Sequence, residues 1–175
     1  MKRVTLAFSG ASGAPYGLRL LEQLVRHDCE VSVVISTAGL MVINDETELM
    51  LSGNVQKIQE TFEKKYDAKP SQIKVYGKDD WYSPLASGSS APKTMVVCPC
   101  SVGCLAAIAQ GMSDNLLERA ADVVIKEQGK LILLVREMPY SAIHLEHMLK
   151  LSRLGVCVMS ASPGFYFKPQ SVEDI

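Results

Sequence analysis

The 175-residue chain has almost no net charge, with 18 Lys and Arg against 19 Asp and Glu, a formal −1. Nucleic acids and membrane surfaces are recognised through a concentrated basic field, so neither is an expected partner. No apolar run approaches the roughly 18 residues of a membrane-spanning helix. The first residues also lack the apolar segment and small-residue cleavage site of a secretory signal. The expected compartment is therefore the cytosol. Cysteine is present but odd in number: Cys29, Cys98, Cys100, Cys104 and Cys157. Such a set reads as reduced thiols, not as a disulfide framework. Two phosphate signatures are missing, since neither G-x-G-x-x-G nor Gly-Lys-Ser/Thr occurs. The usual dinucleotide and nucleoside-triphosphate loops are thereby excluded.

What is there is a single core-forming pattern. The chain is 47% hydrophobic, and a domain of this size buries roughly 70% of its unfolded surface. Apolar runs predict strands at 3–8, 30–35, 94–98, 131–135 and 156–159, with a weaker one at 73–76. The runs are continuous instead of alternating, as in strands buried on both faces of a parallel sheet. Helical patterns at 15–27, 37–50, 55–66, 102–110, 114–128 and 141–154 separate them. This alternation predicts an α/β fold: a doubly wound parallel sheet in a three-layer αβα sandwich of Rossmann or flavodoxin type. No repeat or linker interrupts it, so residues 1–175 form one domain. The one unusual connection is "WYSPLASGSSAP", Trp81 to Pro92, a long small-residue loop of the kind that is often functional.

Ligands of such sheets sit beyond the carboxyl ends of the strands. Those ends collect Ser9-Gly10-Ala11-Ser12, Ser36-Thr37, Pro99-Cys100-Ser101, Arg136-Glu137 and Ser160-Ala161. Hydroxyls, amides and helix N-termini without a run of positive charge suit a mononucleotide phosphate. Taken singly, Ser12, Ser101 and Ser141 read equally as helix N-caps. Arg119 and Lys126 lie seven apart on one helical stripe. They read either as a cationic site or as a solvated face on which Glu118, Asp122 and Lys126 pair. Glu46 either reaches the strand ends or is a first-turn acid favoured by a helix dipole. Metal readings of "CPCSVGC" and of His144, Glu146 and His147 are weaker than core thiols and a half-exposed helix.

Together the segments "SGASGAPYG", "DETEL", "ASGS", "VVCPCSVGCLAAIAQG", "DNLLERAADVVIKE", "LLVREMPYSAIHLEHMLKLSRLG" and "PGFYFKPQSVEDI" resemble the UbiX-type flavin prenyltransferases. These belong to the homo-oligomeric flavin-containing Cys decarboxylase superfamily. The resemblance covers nearly the whole chain. It implies transfer of a dimethylallyl group from dimethylallyl monophosphate to N5 and C6 of reduced FMN, without a metal. The prenylated FMN would serve a UbiD-type decarboxylase, in ubiquinone biosynthesis among other settings. By the same resemblance FMN is held by Gly10, Ala11, Ser12, Ser36, Ser101, Val102, Gly103, Cys104 and Arg136. The prenyl phosphate falls to Arg119, Lys126 and Tyr166. An allyl cation favours an aromatic, small-residue pocket, which Trp81 with Ser87, Gly88 and Ser89 would line, Trp81 reading otherwise as an oligomer-interface anchor. Ser12, Glu46, Lys126 and Glu137 carry the catalytic roles. The sites would lie between subunits of a dodecamer.

Three departures are visible. Relatives usually carry threonine where Cys104 stands, many read "KERRP" where this chain has "KEQGK", and the chain ends inside the family's last helix, short of a further phosphate-binding arginine. The sequence leaves a diphosphate donor open. Rival readings are a cysteine-type decarboxylase and a non-catalytic flavin carrier. The first lacks its early-helix histidine and asparagine turn, and the second leaves Arg119, Lys126, Glu137 and Tyr166 without a role.

Overall fold

Six parallel strands form one sheet in the order β3-β2-β1-β4-β5-β6. The structure, a computed structural model, describes residues 2–162, 164–171 and 174. The strands are β1 Arg3–Phe8, β2 Glu30–Ile35, β3 Ile73–Tyr76, β4 Thr94–Cys100, β5 Lys130–Val135 and β6 Cys157–Ser160. The helices are α1 Ala14–Arg26, α2 Thr37–Glu46, α3 Val55–Tyr66, α4 Val102–Gln110, α5 Leu116–Lys126 and α6 Ala142–Arg153. The expected doubly wound α/β sandwich is what the chain forms.

Strand alternation divides the core into two layers. Leu6, Phe8, Val31, Val33 and Cys98 pack on one face against α1, α2 and α3, with Leu18, Leu21, Ile43 and Phe62. Ala7, Val34, Met95, Val97, Cys100 and Leu133 pack on the other, against Leu105, Leu116, Ala120 and Leu151 of α4, α5 and α6. The expected loop Trp81–Pro92 is partly ordered. Pro84–Ala86 make a 3-10 turn whose Leu85 is fully buried in the second layer. β4 runs two residues past its expected end, with a register irregularity against β5 between Val97 and Cys100.

Helix α2 ends at Glu46, not at residue 50. Thr47 turns extended, and its amide and its hydroxyl both donate to the Ile43 carbonyl, which closes the last turn. Asn44 then clamps the outgoing chain, accepting from the Leu51 amide and donating to the Leu51 carbonyl. At α6 a capping box closes the first turn: the His144 amide donates to Ser141 Oγ, and the Ser141 amide donates to His144 Nδ1. Ser141→Ala is expected to cost about 1 kcal/mol. The corresponding fall in Tm is about 2–4 °C by calorimetry for a chain this long.

Candidate functional site

The strand order reverses between β1 and β4, and the turns leaving these two strands face one another at the carboxyl edge. Ser9 holds them together. Its hydroxyl donates to the Pro99 carbonyl at 2.9 Å and accepts from the Ser101 amide at 2.8 Å, and it is 3% exposed. The sequence collected Ser9 among the strand-end hydroxyls but not this clamping role, because its partners lie about ninety residues away.

Two glycines shape the first turn. A side chain at Gly10 would place its Cβ 2.5 Å from the Ala38 Cβ, so the turn can pass α2 only as bare backbone. Gly13 has φ of 117° and is the N-cap of α1, a conformation that L residues resist. Ser12 is thus not the cap. Its hydroxyl hydrogen-bonds to Glu46, and Glu46 Oε2 accepts from the Gly13 and Ala14 amides at 2.8 and 2.9 Å. Glu46 is accordingly not a first-turn acid of its own helix. It is the last residue of α2 and caps α1 from outside. The phosphoryl end of a flavin therefore cannot use these α1 amides while Glu46 holds them.

Desolvation pushes the Glu46 pKa up, but the Ser12 hydroxyl, the two amides and the field of Arg136 outweigh it, and the net displacement of the pKa is downward. Glu46 is therefore an anion tied to Ser12 and facing Arg136. The Arg136 amide donates to the Cys100 carbonyl, which fixes the chain leaving β5 against the chain leaving β4. Glu137 is half-buried and accepts from the Met138 amide at 3.0 Å. Two further helix N-termini open on this edge. Ser36 caps α2 by accepting from the Gly39 amide, and Ser101 caps α4 by accepting from the Cys104 amide. Each hydroxyl still has its own O–H to donate.

The structure thus brings Gly10, Ala11, Ser12, Ser36, Glu46, Ser101, Val102, Gly103, Cys104, Arg136 and Glu137 to one edge. It does not bring Lys126 there within one chain. Lys126 ends α5 just before β5 begins, and β5 lies between it and Glu137, a span of about 20 Å for six residues of strand. Around α5, Arg119 donates through Nε to the Ala86 carbonyl at 3.2 Å and pairs with Asp122 at 2.7 Å. Lys126 pairs with Glu127, where the sequence had weighed Asp122. A Cβ on Gly88 would meet the Glu127 carboxylate, so the loop is held against this corner. Ser87 and Ser89 share a hydroxyl contact there at 3.2 Å. Trp81 is 44% exposed after β3, and Tyr166 is 87% exposed in the 3-10 turn Phe165–Phe167.

Among the described residues no group of three His, Cys, Asp or Glu side chains could hold a metal ion. His144 Nδ1 is engaged in the capping box, and His147 Nε2 lies 3.1 Å from the Gln110 amide.

The flavoprotein family profile matches residues 1–174. The flavin prenyltransferase UbiX of Pseudomonas aeruginosa is 53% identical over 174 residues, covering 99% of this chain and 83% of the relative. The chain belongs to the UbiX-type flavin prenyltransferases. Among solved structures in this family, AnUbiX (PadA1) in complex with FMN and dimethylallyl pyrophosphate superposes with a TM-score of 0.86. It is 35% identical and covers 98% of this chain and 84% of that one. A dodecameric FMN-dependent UbiX-like decarboxylase from Escherichia coli O157:H7 gives a TM-score of 0.83 at 37% identity, over 98% and 86% of the two chains. FMN is the family's flavin, and the edge described above fits it: a bare turn at Gly10, two hydroxyl-capped helix N-termini, and one arginine.

Proposed function

We propose that the chain transfers a dimethylallyl group from dimethylallyl monophosphate to N5 and C6 of reduced FMN, making prenylated FMN for a UbiD-type decarboxylase. What supports this is the gathering of Ser12, Glu46, Arg136, Glu137 and the Ser36 and Ser101 caps at the topological switch of the sheet.

Reduced FMN, once bound, supplies the nucleophilic nitrogen and carbon. The protein's own contribution is charge and placement. The α2 and α4 N-termini and Arg136 are the groups left to hold the flavin phosphate and its edge, since Glu46 occupies the α1 amides. Breaking the allylic C–O bond leaves a phosphate of growing negative charge, which preplaced Arg119, Lys126 and Tyr166 stabilise without a metal. Trp81, with Ser87, Gly88 and Ser89, offers the π surface and small side chains that suit an allyl cation. Glu137 removes the proton that ring closure releases. Ser12 stays oriented by its bond to Glu46.

Because β5 separates Lys126 from Glu137, the reading requires cations from a neighbouring chain. The outer face of α6 fits such an assembly, for it exposes Leu145, Leu149 and Leu154 beside one another.

The test mixes the chain with anaerobically reduced FMN and dimethylallyl monophosphate, and in parallel the diphosphate, and follows mass and absorbance. The expected product is heavier than FMN by one C5H8 unit. Recovery of unchanged FMN, with a UbiX relative active in the same mixture, overturns the reading in favour of a flavin carrier.

A further inference from the structure

The turn leaving β4 contains two thiols for which the prenyl-transfer reading has no redox role, although it places Cys104 beside the flavin. Cys100 is the last residue of β4 and is fully buried, and Cys104 is half-buried in the first turn of α4. The register irregularity of β4 between Val97 and Cys100 puts Cys98 and Cys100 on opposite faces although they are two residues apart: Cys98 packs among α1 and Phe8, whereas Cys100 and Cys104 pack in the same layer. The two thiols hydrogen-bond to one another, and Cys100 Sγ also lies 3.6 Å from the Ser101 carbonyl. Cys29 and Cys157 belong to other elements, one before β2 and one in β6.

The two sulfurs are not equivalent. Cys104 is reachable from solvent, in the first turn of a nine-residue helix. Its amide is anchored to Ser101 Oγ, so the side chain is held in place. For Cys100, the hydrogen bond with Cys104 and then burial push the thiol well above its ordinary range, so it stays protonated until a partner sulfur is activated. A half-exposed attacking thiol beside a buried resolving thiol is the arrangement of a redox-active pair.

We propose that Cys100 and Cys104 form a reversible dithiol–disulfide couple at the turn between β4 and α4, oxidised by hydrogen peroxide. The Cys104 thiolate attacks one peroxide oxygen, the O–O bond breaks, and a sulfenic acid and one water result. Cys100 sulfur then attacks Cys104 sulfur, the S–O bond breaks, and a second water leaves with the Cys100 proton. Two thiols and one peroxide give one disulfide and two waters, a two-electron oxidation. Closing the sulfurs to about 2.05 Å draws Cys104 inward and disturbs the Ser101 cap. That this turn meets FMN rests on the function proposed above.

The experiment treats the full chain, with and without FMN, with increasing hydrogen peroxide, and then alkylates the free thiols for mass mapping. The expected result is a mass lower by two hydrogens, fragments that place the bond between Cys100 and Cys104, and full reversal by dithiothreitol. Cys104→Ser is expected to abolish the mass loss and Cys157→Ser to leave it unchanged. A free, alkylated Cys104 at saturating peroxide, or a mass loss that persists in Cys104→Ser, overturns the couple. So does accumulation of sulfinic acid at Cys104 without the bond. FMN affinity of the oxidised chain is expected to fall about tenfold, the scale of a lost polar contact, and to recover with dithiothreitol. Disulfide formation with unchanged FMN affinity overturns the placement of the turn at the flavin and leaves the couple standing, so the two failures are distinguishable.

Discussion

Lys126→Met and Glu137→Gln chains, each inactive alone, are expected to regain activity when they assemble together. Lys126 sits at the end of α5 and Glu137 beyond the end of β5, with the whole of that strand between them. One prenyl phosphate cannot be reached by both from the same chain. Each single substitution is expected to lower turnover about 10²–10⁴-fold, the range for removing an acid–base group or a transition-state charge contact. If every site takes its lysine from one chain and its glutamate from another, random mixing leaves about a quarter of sites with both groups intact. Turning Lys126 outward costs little, because its pairing with Glu127 is a surface ion pair, with side chains 45% and 44% exposed. Such pairs contribute roughly 0–1 kcal/mol. The assay is adduct formation by co-expressed, differently tagged chains purified through both tags. Mixed oligomers that stay as inactive as the single variants would place both residues in one chain's site and overturn the shared arrangement.

The core and the site were legible to different degrees. The continuous apolar run VTLAF is buried on both faces, and LILLV is buried on one face and half-buried on the other, so strands and layers followed from the pattern. Element ends were less legible, because they are set by single side chains. Thr47 and Asn44 stop α2 through contacts reaching four and seven residues along the chain, while the apolar periodicity continues past them. Ser36, Ser101 and Ser141 carry a local signal and do cap their helices, but Ser12 carries the same signal and does not. The difference is Glu46, which reaches the α1 amides from 33 residues away. Contacts at that separation leave no periodicity to read. The Ser9 clamp is hidden for the same reason.

That distant cap is the most testable feature of the turn. Glu46→Ala is expected to destabilise the chain by about 1–2 kcal/mol, because two helix N-terminal amides lose their acceptor. For a domain of this length that is a fall in Tm of roughly 2–8 °C. The effect on prenyl transfer should be larger, about 10²-fold, since Ser12 loses the partner that orients it, Arg136 loses a nearby anion, and small misplacements are costly. FMN should still bind through the α2 and α4 N-termini. The carboxylate's own part is separable by pH. Glu46 titrates below its ordinary 4.5 in the folded chain, after burial is outweighed by Ser12 and the amides. Its charge therefore stabilises the fold fully above the unfolded value, and that contribution disappears as pH falls through the folded one. Glu46→Gln keeps an acceptor oxygen and loses only the charge. The Tm gap between wild type and Glu46→Gln is thus expected to be widest near neutrality and to close below pH 4.5. A gap that is the same at both ends would mean that α1 uses the oxygen of residue 46 and not its charge.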